Sequence, residues 1–192
     1  KWPDRNTEPC SIKSVLDRSP KDAKPLSAQV IKCLEVWQDF LNRSPRNEEL
    51  PSFPIWTMDF GASYPFEDIA PFALGERVLG KYKGSHGIKL SNIALKRRLD
   101  FLPSYARTEE LIFPDWKIQF IRQNREFYQK QKKWIKPWLP KILEFPPSLQ
   151  KLEWNCKGEI RDIWRFIIQF RASGVRVKRP TTAPSLIAMT ST

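Results

Sequence analysis

The stretch Pro114–Lys136 constrains this chain more than any other. Trp116, Phe120, Phe127 and Trp134 are spaced four, seven and seven residues apart, which aligns them along one face of an α-helix. Arg122, Arg125, Gln129, Lys132, Lys133 and Lys136 fall along another face. A helix with an aromatic stripe requires a core to bury it. The 192 residues are 41% apolar, with eight Trp and twelve Phe, enough for one substantial core. The basic stripe reads first as the solvated side of an amphipathic helix, and it is also suited to lying along a phosphate backbone. Pro137 and Pro140 are expected to end or kink this helix.

Other segments follow the same logic. Ser27 precedes Val30, Leu34, Trp37, Phe40 and Leu41 at helical spacing, which predicts a capped amphipathic helix ending near Asn42. Pro45, Pro51 and Pro54 break the chain before Ile55–Phe60, where alternation and aromatic content predict a short strand. Residues 61–90 hold five of the seven glycines and read as an irregular loop of the length that usually carries function. A short helix is expected at Ser91–Leu99. A last helix is expected at Glu159–Ala172, with Ile163, Trp164, Phe166, Ile167 and Phe170 as its apolar face and Gly174 as its stop. Val175 and Val177 alternate with Arg176 and Lys178, which predicts a strand with basic side chains on one face. Residues 1–25 read as a proline-rich lead-in with a helical turn at Ile12–Leu16, and Ser185–Met189 as a second short strand or extended segment. Together these elements describe a helix-rich α+β single domain with a few short strands. Lys1 in place of an initiator Met and the abrupt stop after Thr192 read as the ends of a segment of a longer protein.

The net charge of +12 is unevenly placed. Residues 1–79 carry ten Lys and Arg against twelve Asp and Glu, whereas residues 80–192 carry twenty-three against nine. A basic half of this kind favours a polyanionic partner, because each neutralised phosphate releases condensed counterions. No apolar run approaches the ~20 residues that span a bilayer, so no membrane partner is expected. Cys10, Cys33 and Cys156 are odd in number and widely spaced, without a Cys-x-x-Cys pair. That pattern indicates neither a disulfide framework nor a zinc site, and it fits a reducing cytoplasm. His86 is the only histidine, which removes most His-dependent metal centres and triads, and beside Gly87 it reads as a solvated turn residue.

Two basic clusters are suited to nucleic acid. Lys81, Lys83, Ser85 and Lys89 lie among glycines, where backbone amides, ammonium groups and a hydroxyl are suitable phosphate ligands, without Walker-type spacing. Arg176, Lys178, Arg179, Thr181, Thr182 and Ser185 form a second strip, basic at its start and hydroxyl-rich after it. Arg122 and Arg125 add the helical stripe. A basic module binding RNA or an acidic protein is an alternative, although the aromatics follow core spacing rather than the exposed interleaving that stacks single strands. A metal-dependent nuclease is a weaker one: Asp115-Trp-Lys117 is an Asp-x-Lys pair with no defined second carboxylate. Pro9-Cys10 sits beside Glu8 in a proline-rich segment, without the electropositive surroundings that activate a thiol.

The two ends carry a more specific resemblance. Lys1-Trp-Pro, Pro9 and Ser11-Ile-Lys-Ser-Val-Leu-Asp17 resemble the segment that follows the Gln-x-Arg-x-Arg motif in bacterial DNA cytosine-5 methyltransferases. Arg179-Pro-Thr-Thr-Ala-Pro-Ser-Leu-Ile-Ala188 resembles the stretch that closes their target recognition region, ahead of an Arg-Glu-x-Ala-Arg motif. Between them, Phe53–Ala62, Leu102–Arg107 and Phe120–Tyr128 look like a subgroup with long recognition regions. Ser185-Leu186 stands where the family has Thr-Leu, retaining the hydroxyl without the methyl. The catalytic Pro-Cys-Gln, the Glu-Asn-Val and the Gly-rich S-adenosylmethionine motif are missing from the chain.

The resemblance implies that residues 1–192 are a target recognition domain, with duplex DNA and the catalytic domain of the same polypeptide as partners. It implies S-adenosylmethionine as the cofactor of the parent enzyme and none bound by this segment. In such a family the target cytosine is flipped from the duplex, a Cys thiolate attacks its ring, and methyl transfer follows. By this resemblance, Arg176, Lys178 and Arg179 would meet phosphates or guanine edges, and Thr181, Thr182 and Ser185 would donate to the backbone.

Overall fold

The computed structural model describes residues 20–181. Helix α1 (Ala28–Arg43) begins where Ser27 accepts a hydrogen bond from the Val30 amide at 3.3 Å, and it buries Cys33, Leu34, Trp37, Phe40 and Leu41. Its capped start and apolar stripe are those predicted. After β1 (Ile55–Trp56) the chain turns into a 3-10 segment, Thr57–Asp59, so the predicted strand to Phe60 is cut to two residues. The turn forms because Thr57 donates from its hydroxyl to the Gln150 carbonyl at 2.8 Å while Asp59 is drawn inside.

The glycine-rich region holds two short helices, α2 (Pro71–Leu74) and α3 (Glu76–Leu79), where an irregular loop is expected. Residues 85–106 then proceed through five successive 3-10 turns, and the helix expected at Ser91–Leu99 is broken into Leu90–Asn92 and Leu95–Arg97.

Helix α4 (Asp115–Ile142) runs for 28 residues, about 42 Å. Its buried seam is Lys117, Ile121, Asn124, Tyr128, Gln131, Ile135, Trp138 and Ile142, alternating by four and three. The aromatic stripe read from the sequence lies beside this seam: Phe120, Phe127 and Trp134 are half-buried and Trp116 is 54% exposed. Pro137 and Pro140 do not end the helix. Both are exposed, as are Lys133 and Lys136, so the carbonyls that lose an intrahelical donor lie where water replaces it.

The segment 159–172 is not a helix. After a 3-10 turn at Ile163–Arg165, β3 (Ile167–Arg171) and β4 (Gly174–Lys178) form a two-residue hairpin. The apolar residues satisfy helical spacing, but β4 finds a second neighbour in β2 (Lys151–Asn155), and pairing on both edges decides the structure. Gly174 serves the hairpin rather than a helix stop, with φ of +132° and an implied Cβ only 2.7 Å from that of Lys151. The sheet order is β1-β2-β4-β3, antiparallel except for the central β2/β4 pair. The result is a helix-rich α+β fold. The segments at Ile12–Leu16 and Ser185–Met189 lie outside the described residues.

Two apolar clusters are packed along α4. The larger joins Trp37, Phe40 and Leu41 of α1 to Ile135, Trp138 and Ile142 of α4 and to the inner sheet face of Leu152, Trp154, Val175 and Val177. Phe40 meets Trp138 at 4.7 Å and Trp134 at 4.9 Å, both edge-on. The buried indole donors are satisfied, Trp37 by Leu149 O at 2.9 Å and Trp138 by Val36 O at 3.0 Å. The smaller cluster gathers Tyr64, Leu79, Leu90, Leu102 and Phe113 around Ile121.

Candidate nucleic-acid interface

Since the inner sheet face is apolar, the alternate residues point outward. Register places Glu153, Arg176 and Gln169 in one cross-strand row, and Asn155, Lys178 and Ile167 in the next. Arg171 and Lys151 flank Gly174 in the third row. The strand predicted at Val175–Lys178 therefore presents Arg176 and Lys178 outward as expected; the hairpin brings Gln169 and Arg171 beside them, and the parallel pairing with β2 brings Lys151 and Glu153. Reading 159–172 as a helix hid Gln169 and Arg171, and the strand at Lys151–Asn155 was not predicted; the alternation in Lys151–Asn155 and the Ala172-Ser173-Gly174 turn were the available signals.

Glu153 sits centrally. Its Oε2 accepts from Arg176 Nε at 2.6 Å, and its other oxygen accepts from Arg171. Just beyond β4, Arg179 donates to Glu159 at 2.9 Å and to the Lys157 carbonyl. Thr181 is exposed. Thr182 and Ser185 lie outside the described residues.

The second cluster is built by close backbone contacts. Lys83 and Lys89 face each other across an antiparallel bridge, closed by a 2.8 Å bond from Gly84 N to Ile88 O. Gly84 has no room for a side chain, since a Cβ would stand 2.4 Å from Phe101 O. Lys81, Lys83 and Lys89 are exposed. Ser85 is buried at 7% with its Oγ turned inside and unpartnered, so its hydroxyl is not presented with the lysines. His86 is not the solvated turn residue expected. It takes a left-handed φ of 54°, its Nε2 is buried without a partner, and burial pushes its pKa down to about 4.

The helical arginines part company. Arg122 is on the outer side of α4 and pairs with Glu67 at 2.7 Å, both half exposed. Arg125 turns inward: Nε donates to Asp59 at 3.2 Å, Nη1 to Tyr64 O at 2.8 Å, and its guanidinium lies 4.2 Å from the Tyr64 ring centroid. Asp59 also accepts from the Tyr64 hydroxyl at 2.9 Å and from Tyr105. Burial raises the Asp59 carboxyl above its usual range against the pull of Arg125, and burial together with the Asp59 charge raises both tyrosines. Lys151, whose ammonium is held down by burial, lies 5.3 Å from the Tyr105 ring, and Gly61 touches Gly87 beyond Asp59. The sheet face and the lysine loop are thus joined through Tyr105 and the Asp59 turn.

The nuclease alternative gains no geometry. Lys117 is buried, paired with Glu110 and 4.4 Å from the Phe113 ring, rather than presented beside Asp115. Among the described residues no group of three His, Cys, Asp or Glu could hold a metal ion, and no helix is long and apolar enough to cross a membrane.

Comparison with known proteins adds one relationship. The type II methyltransferase M.AluI of Cellulosimicrobium cellulans is 37% identical over 83 residues, covering 41% of this chain and 16% of that protein. Over that stretch the chain is related to a type II methyltransferase. The match spans about a sixth of the relative's length. No protein-family model matches the chain, and no solved structure does.

Proposed function

We propose that this chain is the target recognition part of a DNA cytosine-5 methyltransferase and that it holds duplex DNA against a catalytic domain of the same cytoplasmic polypeptide. One observation carries the reading: on a chain related to a type II methyltransferase, the outward rows of the sheet gather Lys151, Arg171, Arg176 and Lys178 around a single carboxylate. A rigid sheet is a suitable scaffold for such contacts, because its side chains stand at fixed spacing and need little ordering on binding. Lys81, Lys83 and Lys89 supply a second anchoring point, with Arg122, Arg179 and Thr181 at the margins; Thr182 and Ser185 belong to the same strip. Arg125 supports the site from within rather than reaching the duplex, since its guanidinium is committed to Asp59 and Tyr64.

The chemistry of the parent enzyme would be methyl transfer to a flipped cytosine, with S-adenosylmethionine supplying the methyl group. This chain's part is to bind, orient and select. The test is fluorescence anisotropy of the chain with double- and single-stranded oligonucleotides over a salt series. Duplex is expected to be preferred, with log K falling linearly against log salt by about 0.9 per phosphate neutralised. A flat salt dependence, or a preference for single strands, would overturn the reading. The position of the methylated base is checked separately by mapping cytosine modification in DNA treated with the longer enzyme.

A further inference from the structure

A carboxylate in the middle of a basic face weakens its attraction for phosphate, so the place of Glu153 demands a reason. Its partners give one. Glu153 lies directly across from Arg176 in the strand register and grips Arg176 by Nε at 2.6 Å. The two terminal nitrogens of Arg176 have no partner other than Glu153 among the described residues, and the side chain keeps 29% of its surface exposed. That pair is the fork that recognises guanine O6 and N7 together, a geometry that lysine lacks. A guanidinium gripped by its side edge keeps this fork pointed in one direction and loses little rotamer freedom on binding. Lys178, two residues along the same strand and on the same face, has no ion-pair partner among the described residues and acts as a point charge.

We propose that Glu153 is a positioning residue that holds Arg176 as a guanine reader on the outer sheet face, leaving phosphate attraction to cations such as Lys178. This rests on the duplex-binding reading above, and it adds a division of labour that charge alone does not contain. Arg171, gripped by the same carboxylate, braces Glu153 from β3, on the far side of β4.

The experiment selects the preferred duplex from a randomised pool using the chain itself. Anisotropy is then measured on that duplex and its single-base-pair variants, for the wild-type chain, Glu153→Gln, Arg176→Lys and Lys178→Ala, with thermal melts of each. Simple electrostatics predicts that Glu153→Gln, by adding one net positive charge, tightens binding to every duplex alike. Positioning predicts a different result: Glu153→Gln loses about ten-fold or more of discrimination at one guanine while the salt slope is held. Arg176→Lys should lose discrimination at that same guanine with its charge intact, and it reads the position even if Glu153→Gln does not fold. Lys178→Ala should weaken all duplexes together and reduce the slope by about 0.9. If the wild-type chain binds duplex without base preference, or if Arg176→Lys keeps the preference, this inference is overturned and duplex binding still stands. If the wild-type chain does not bind duplex at all, both fall.

Discussion

Arg125 donates from Nε to the fully buried carboxylate of Asp59 at 3.2 Å while its guanidinium lies on the Tyr64 ring. This pair fastens the middle of α4 to the turn after β1. From that turn, Tyr105 leads to Lys151 at the edge of the basic sheet face, and Gly61 leads to the lysine loop. A residue that sequence periodicity assigns to a solvent-facing basic stripe is thus the internal tie between the two proposed DNA-contacting regions.

Asp59→Ala is expected to destabilise the chain strongly. It leaves the Arg125 charge in a largely buried place and takes away the acceptor shared by Tyr64 and Tyr105. Breaking one side of a buried ion pair costs about 3–5 kcal/mol. Urea unfolding monitored by tryptophan fluorescence measures this directly, and a loss below about 1 kcal/mol would show that the network contributes little.

Asn124→Ala is expected to act at the same junction by a different route. The Asn124 side chain accepts from Trp56 N at 2.7 Å and donates to Pro54 O at 3.0 Å, joining α4 to β1. Without it a buried backbone amide and a part-buried carbonyl lose a partner, which costs about 2–4 kcal/mol in all. The same unfolding measurement checks the value, and Asn124→Asp, which keeps only the acceptor, should fall short of full rescue.

These polar groups show what periodicity can and cannot reveal. Ser27 and the stripe from Val30 to Leu41 announced α1 because cap and core face are local signals. The start of α4 was also readable, but its continuation past Pro137 and Pro140 and its seam were not. Lys117, Asn124 and Gln131 belong to the buried face because Glu110, the Pro54–Trp56 backbone and Glu48 wait for them there, and no one of those partners is a neighbour in sequence. The helix read at Glu159–Ala172 failed for a related reason. Ile163, Trp164, Phe166, Ile167 and Phe170 satisfy helical spacing locally, whereas the competing strand β3 depends on β4, which is itself held on its other edge by β2, some twenty residues upstream of β4. Arg176 and Lys178 were visible in the alternation of β4. Glu153 and Gln169 were not, since only strand register places them in the Arg176 row.

Cys33 and Cys156 are fully buried, and burial pushes both thiols up to about 11. Thiolate is the reactive form, so both should be inert in the folded chain at mildly alkaline pH. Titration with Ellman's reagent is expected to leave at least two of the three cysteines unmodified until denaturant is added. Rapid reaction of all three in the folded chain would contradict this burial.

His86 predicts a pH dependence of stability. Its native pKa is pushed down to about 4, against an ordinary value near 6.5, so between these limits the unfolded chain binds a proton that the folded chain refuses. Stability therefore rises with pH through this window: the contribution is complete above about pH 6.5 and is lost as pH falls toward 4. His86→Asn keeps a residue tolerant of the left-handed φ and removes the titration. The melting temperature of the wild-type chain should fall further than that of His86→Asn between pH 7 and pH 4.5, and parallel curves would exclude His86 as the cause.

The lysine loop allows surface charge to be separated from interior structure. Lys83 and Lys89 are exposed on opposite sides of one bridge, so each is placed to neutralise a backbone phosphate of its own. Lys83→Ala and Lys89→Ala should each lower the salt slope of duplex binding by about 0.9, and together by about twice that, without changing which sequence is preferred. Ser85 lies between them in the chain but turns its hydroxyl inward. Ser85→Ala should therefore leave the slope alone and report only in the melting curve. A slope that moves with Ser85→Ala and not with the lysines would mean that this loop meets the duplex through its backbone turn, and the assignment of its two lysines to phosphate would have to be abandoned.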